Sequence, residues 1–247
     1  MKNILISIIT FFAFINLNAQ QELSGQDSFV EQLGSNSFKV TYRIFLDCKD
    51  TNRIDTIPFE VYDDSTNALI LSSKVSVDYS NFGVKTAFNA GLNCAKIYYY
   101  HDTIQLANNV NGYYISTNYC CRVHTTNIDT NAGYTFNVTI PDPAISSGNS
   151  SPKFSDTIIK KAFTTSGTHD FDVSCTDDDG DSLVYTLIVP YENGNIKSFV
   201  KATLYSPFIV SHLAGPGGYT TIYNDTIGLL WVQTRYYGCF AFGIVCE

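Results

Sequence analysis

Between Asp170 and Asp181 the chain sets six carboxylates in a dozen positions: Asp170, Asp172, then Asp177, Asp178, Asp179 and Asp181 around Gly180. Carboxylates at alternate positions, with a glycine that permits a tight turn, are the donors that surround Ca²⁺, which takes about 6–8 hard oxygens. The run is not an EF-hand. Counted from Asp177, the places where that loop needs Gly and Glu hold Ser182 and Ile188, and no helical periodicity flanks it. Crowded carboxylates repel one another unless a cation or backbone N–H groups answer them. The run therefore predicts either a calcium site or a solvated acidic turn ahead of a strand at 183–189.

Other chemistry is thinly represented. There is no G-x-S-x-G elbow and no H-E-x-x-H motif, and His101, His124, His169 and His212 are dispersed. Gly215-Pro216-Gly217-Gly218 lacks the following helix and lysine that phosphate binding needs, and reads as a turn. Carboxylate pairs suited to glycoside hydrolysis can be drawn from Asp170 to Asp181, but any acidic β protein offers such pairs. The chain reads as non-catalytic.

The elements that must position these residues are strands. Of the 247 residues 45% are apolar and only 15% charged, with 17 Tyr and 17 Phe but a single Met. Abundant Thr, Tyr, Val, Ile and Asn suits pleated strands joined by polar turns. The net charge of −8 excludes nucleic acid as a partner by electrostatics. Phe38, Val40, Tyr42, Ile44 and Leu46 alternate with Lys39, Thr41 and Arg43, the period of a strand with one face in a core. Further strands are predicted at 56–62, 69–79, 95–100, 112–123 and 134–140, separated by turns such as Asp63-Asp64-Ser65, Asn111-Gly112 and Asn131-Ala132-Gly133. The stretch from Pro141 to Pro152, rich in Pro, Ser, Gly and Asn, reads as a linker. Strands resume at 168–173, 183–189, 198–204, 219–223, 228–232 and 238–245. The expected fold is all-β: two tandem antiparallel β-sandwiches, immunoglobulin-like or cadherin-like, over 20–145 and 146–247.

Residues 1–19 read as a cleaved signal peptide, with Lys2 ahead of a short apolar run and a small-residue end at Ala19. No other segment is long and apolar enough to span a membrane. Without Lys2 the balance is 14 basic against 23 acidic residues, or −9. Cys48, Cys94, Cys120, Cys121, Cys175, Cys239 and Cys246 all follow that segment, and in an exported chain they read as disulfide partners whose pairing the spacing leaves open. No pair has the C-x₂-C spacing of a zinc site.

Several stretches together resemble the amino-terminal region of large surface proteins of the Bacteroidota, of the gliding-motility-associated or PKD-domain type exported by the type IX system. They are Phe45-Leu46-Asp47-Cys48, Cys120-Cys121-Arg122, Asn149-Ser150-Ser151-Pro152-Lys153-Phe154, Asp177 to Tyr185, Ser206-Pro207-Phe208, Ile227-Gly228-Leu229-Leu230-Trp231 and Tyr237-Gly238-Cys239-Phe240. The second half is similar to cadherin-like and immunoglobulin-like repeats, with an acidic opening followed by a G-x-L-x-W strand. The resemblance implies a secreted or surface-displayed adhesion module that binds protein or glycan, and it implies Asp177, Asp179 and Asp181 as ligands of Ca²⁺. Such family members run on into further repeats and a sorting domain, so a chain stopping at Glu247 is expected to be a shortened member. The other readings are a secreted enzyme acting on polysaccharide and a purely structural spacer.

Overall fold

A computed structural model describes residues 23–47, 54–78, 95–120, 122–129, 131–144, 148–155, 165, 167–192 and 199–247. The expected signal peptide, a turn expected at Asn89-Ala90-Gly91 and the expected boundary between 145 and 146 lie outside them. The described residues are all-β apart from one 3-10 turn, Val210–His212. No helix among them is long and apolar enough to cross a membrane.

The first lobe holds β1 (Leu23–Gly34), β2 (Ser37–Asp47), β3 (Thr56–Asp63), β4 (Leu69–Ser76), β5 (Ala95–Gln105), β6 (Tyr113–Tyr119) and β7 (Tyr134–Ile140). They form two antiparallel sheets, ordered β1-β2-β5 and β4-β3-β6-β7. The alternating residues of β2 supply one wall of a shared core, and Ile57, Phe59 and Val61 of β3 with Ile115 of β6 supply the other. A two-residue turn at Ser35 and Asn36 joins β1 to β2. The turn after β3 is closed by Asp63, whose Oδ1 accepts the backbone N–H groups of Ser65 at 3.1 Å and Thr66 at 2.7 Å. Those bonds and the Thr66 hydroxyl hold the Asp63 carboxyl well below the usual carboxylate range. Gly112, at φ +71°, needs glycine twice over: an added Cβ would also lie 2.5 Å from the Ile140 carbonyl.

The second lobe is built of shorter pieces: β8 (Lys153–Phe154), β9 (His169–Asp172), β10 (Cys175–Thr176), β11 (Tyr185–Ile188), β12 (Tyr219–Asn224), β13 (Leu229–Gln233) and β14 (Gly243–Cys246). They pair as β12-β13-β9, β11-β14 and β10-β8. Val173, Leu230 and Val232 are buried here, flanked by half-buried Phe171, Phe240, Phe242 and Ile244.

The predicted strand at 134–140 matches β7, and those at 56–62 and 219–223 match β3 and β12 to within a residue. Two expectations are corrected. Residues 199–204 form isolated bridges, Lys201 to Tyr191 and Leu204 to Ile128, instead of a strand. The predicted strand at 238–245 shortens to β14, because Asn127 takes the Ala241 backbone: its Oδ1 accepts the Ala241 N–H at 2.9 Å and its Nδ2 donates to the Ala241 carbonyl at 2.7 Å. β1 was not expected, since its sequence is too polar to show an apolar period.

Phe59 is 1% exposed in the shared core, whereas Leu69 at the start of β4 is 52% exposed. Phe59→Ala is expected to cost about 3–5 kcal/mol in chemical denaturation, and Leu69→Ala less than about 0.5 kcal/mol.

Candidate functional site

The polar face of β2 is only partly open to solvent: the Lys39 side chain is 37% exposed, whereas Thr41 is buried. Arg43 and Phe45 are buried, and β1 lies alongside with Asp27 directly opposite Arg43 and Glu31 opposite Lys39. Arg43 Nε donates to Asp27 Oδ1 at 2.8 Å, its Nη2 donates to Asp27 Oδ2, and Nη2 also donates at 2.7 Å to the carbonyl of Phe154 in the other lobe. A planar guanidinium suits this fork and a lysine does not.

The predicted linker is stitched to the outer edge of β1. Ser151 N–H donates to the Val30 carbonyl at 2.8 Å, Val30 N–H donates to Ser151 Oγ at 2.6 Å, and Gly148 N–H donates to Gln32 Oε1 at 2.8 Å. Lys153 then bridges the lobes, with Nζ 2.6 Å from Glu31 and 2.5 Å from Asp178. Its hydrogen bond lowers the Glu31 carboxyl below its usual 4.5 against the opposing effect of burial. Burial pulls the Lys153 ammonium down, but Asp178 and Glu31 outweigh it and hold the group above 10.5.

This clasp explains where the acidic run's charge goes. Asp177, Asp178, Asp179 and Asp181 sit on the exposed turn between β10 and β11, as one of the two readings expected. Asp177 Oδ1 accepts the backbone N–H groups of Asp179 at 2.9 Å and Asp181 at 3.2 Å, while Asp179 accepts that of Ser150. Asp177 and Asp179 are thus engaged by backbone donors, and no group of three or more His, Cys, Asp or Glu among the described residues could hold a metal ion.

Above the clasp the lobes enclose a cleft of about 1530 Å³. Phe45 and Phe136 line it from the first lobe, Phe171, Phe240 and Phe242 from the second. Arg122 and Gln26, both in its wall, are nearly inaccessible. Arg122, which follows β6 and is 1% exposed, donates from Nη2 to the Tyr191 carbonyl at 2.6 Å and lies 4.0 Å from the centre of the Tyr134 ring. Among the described residues its Nε and Nη1 find no hydrogen-bond partner, and neither does the side-chain amide of Gln26. Burial lowers the Arg122 value, and burial pushes the Tyr134 phenol up to about 12 with Arg122 opposing. Arginine nonetheless stays protonated in proteins.

The histidines remain apart: the ring of His101 meets Thr41, and that of His212 meets Ser211. Cys120 is disulfide-bonded, while Cys48, Cys94 and Cys121 lie outside the described residues. Sequence reasoning passed over Arg122 and Gln26 as site residues. Their burial comes from the meeting of the lobes, which no local pattern displays. No family model, curated protein or solved structure matches the chain.

Asp27→Asn leaves Arg43 buried without its counter-charge and is expected to cost about 3–5 kcal/mol by thermal or chemical unfolding. Because Glu31 titrates lower when folded than when unfolded, its contribution is complete above about pH 4.5 and is lost as pH falls through the lower folded value. A pH series of denaturation midpoints is expected to show that acid-side loss in the natural chain and a shallower one in Lys153→Met. Millimolar Ca²⁺ against chelator is expected to leave the melting temperature unchanged; a rise would mean that the turn re-forms around the ion.

Proposed function

We propose that the chain is a secreted or cell-surface, non-catalytic binding module of the adhesion type, its two β lobes immunoglobulin-like or cadherin-like sandwiches, with a protein or glycan partner held in the cleft between them. The observation that carries this reading is Arg122. A buried guanidinium whose Nε and Nη1 are unanswered among the described residues is costly, and a negatively charged oxygen group such as a carboxylate is the partner that offsets its charge. The cleft is larger than the roughly 300–1,000 Å³ typical of small-molecule pockets, which suits several linked units more than one metabolite. Aromatic walls offer flat apolar faces to sugar rings, and the Gln26 amide offers a donor and an acceptor to hydroxyls. A carboxylated glycan is the partner these walls favour.

Three observations support a non-catalytic role. Asp27 is committed to Arg43, Asp172 accepts the Ser174 N–H, and Asp177 serves its own turn, so these cleft carboxylates are already engaged. Export rests on the amino-terminal segment and the cysteines. A place among gliding or attachment proteins rests on the resemblance to Bacteroidota surface proteins.

Calorimetric titration with an oligogalacturonide, with polyglutamate as the peptide arm, tests the reading. The sugar is expected to bind, and Arg122→Met to weaken it at least about tenfold, the scale of one charged hydrogen-bonded contact. Melting curves check that the variant folds. Equal affinity in both proteins, or new reducing ends in the sugar, would overturn the proposal; tighter binding of polyglutamate would move the partner to an acidic peptide.

A further inference from the structure

Cys175 and Cys246 lie 71 positions apart in the chain (246 minus 175) yet meet at one tyrosine. Cys246 stands opposite Tyr185 in the β11–β14 pair, and the Tyr185 hydroxyl accepts the Cys175 backbone N–H at 2.8 Å. The ring of Tyr185 is buried and spans from β11 to β10. At its hydroxyl the two half-buried thiols hydrogen-bond to each other and to the tyrosine oxygen. No third ligand joins them among the described residues, so the pair is not part of a metal cluster.

We infer that Cys175 and Cys246 are partners in a disulfide that fastens β14, the last strand, to β10 at the mouth of the acidic turn. The thiols are already within hydrogen-bonding reach of each other, and a bond of about 2.0 Å needs side-chain adjustment without moving either strand to a new register. The hydrogen bond from Cys175 lowers the Cys246 thiol, helped by Tyr185, while the Cys175 thiol is raised by the same contact and by burial. Cys246 is therefore the first nucleophile. Its thiolate attacks a low-molecular-weight disulfide such as oxidised glutathione, forming a mixed disulfide and expelling one thiolate. Cys175 then gives its proton to solvent and attacks the Cys246 sulfur, expelling the second. Two protein thiols and one small disulfide become one protein disulfide and two small thiols, with two electrons passing to the carrier. The cross-link stands whatever ligand the cleft takes.

The test is peptide mapping of the natural chain after equilibration with oxidised glutathione and alkylation by iodoacetamide. Chymotrypsin, which cuts after Phe240 and Phe242, separates Cys239 from Cys246. A linked peptide joining Cys175 to Cys246 is expected. Alkylation of both residues, or linkage of either to another cysteine, would overturn the inference. In Cys246→Ser, Cys175 is expected to become alkylated and the melting temperature to fall by about 10 °C; an unlabelled Cys175 in that variant would also count against the pairing.

Discussion

The register of β1 on β2 is the constraint on which the rest of the molecule depends. It sets Asp27 across from Arg43 and Glu31 across from Lys39, and it points Val30 into the core beside Phe38 and Val40. A slip of one residue would exchange the two faces of β1. Asp27 would leave the Arg43 fork, Arg43 would lose the orientation from which it reaches the Phe154 carbonyl, and the Val30 backbone that receives Ser151 would face elsewhere. Both lobes are thus indexed to one hairpin.

What the sequence made legible is what local repetition can carry. The five-residue alternation of β2, the apolar strands β3 and β7 and the turn chemistry of Asp63 and Gly112 are all properties of neighbours in the chain. β1 escaped because its polar residues are answered from far away: Asp27 by Arg43, Gln32 by Gly148, Glu31 by Lys153. The acidic run was located correctly as a turn, but the use of its carboxylates depended on which donors the fold delivers. Backbone N–H groups and one lysine arrive there, and Arg122 and Gln26 acquire meaning only when the second lobe covers them.

The lobes differ in how they are held. The first closes a large core between two long-stranded sheets. The second divides its apolar residues between a small cluster around Leu230 and another around Leu213, and the latter includes Ile128 from ahead of the predicted linker. Short strands give few ladder bonds, so side-chain to backbone bonds such as those of Asn127 carry part of the organisation. The cleft opens where this less completely packed lobe faces the firmly packed one, which is why half-buried Phe171, Phe240 and Phe242 are left in its wall.

Lys153 gives the join between the lobes a character unlike either interior. Its ammonium is shared between Glu31, three-quarters buried on the first lobe, and Asp178, which is 57% exposed on the second. Apolar packing inside each lobe is nearly indifferent to dilute electrolyte, whereas the attraction across this bridge is screened over about 8–10 Å at physiological ionic strength. Dissolved salt therefore loosens this bridge before it touches the apolar packing of either lobe, and leaves the backbone bonds of Ser151 and Gly148 to β1 to hold the join.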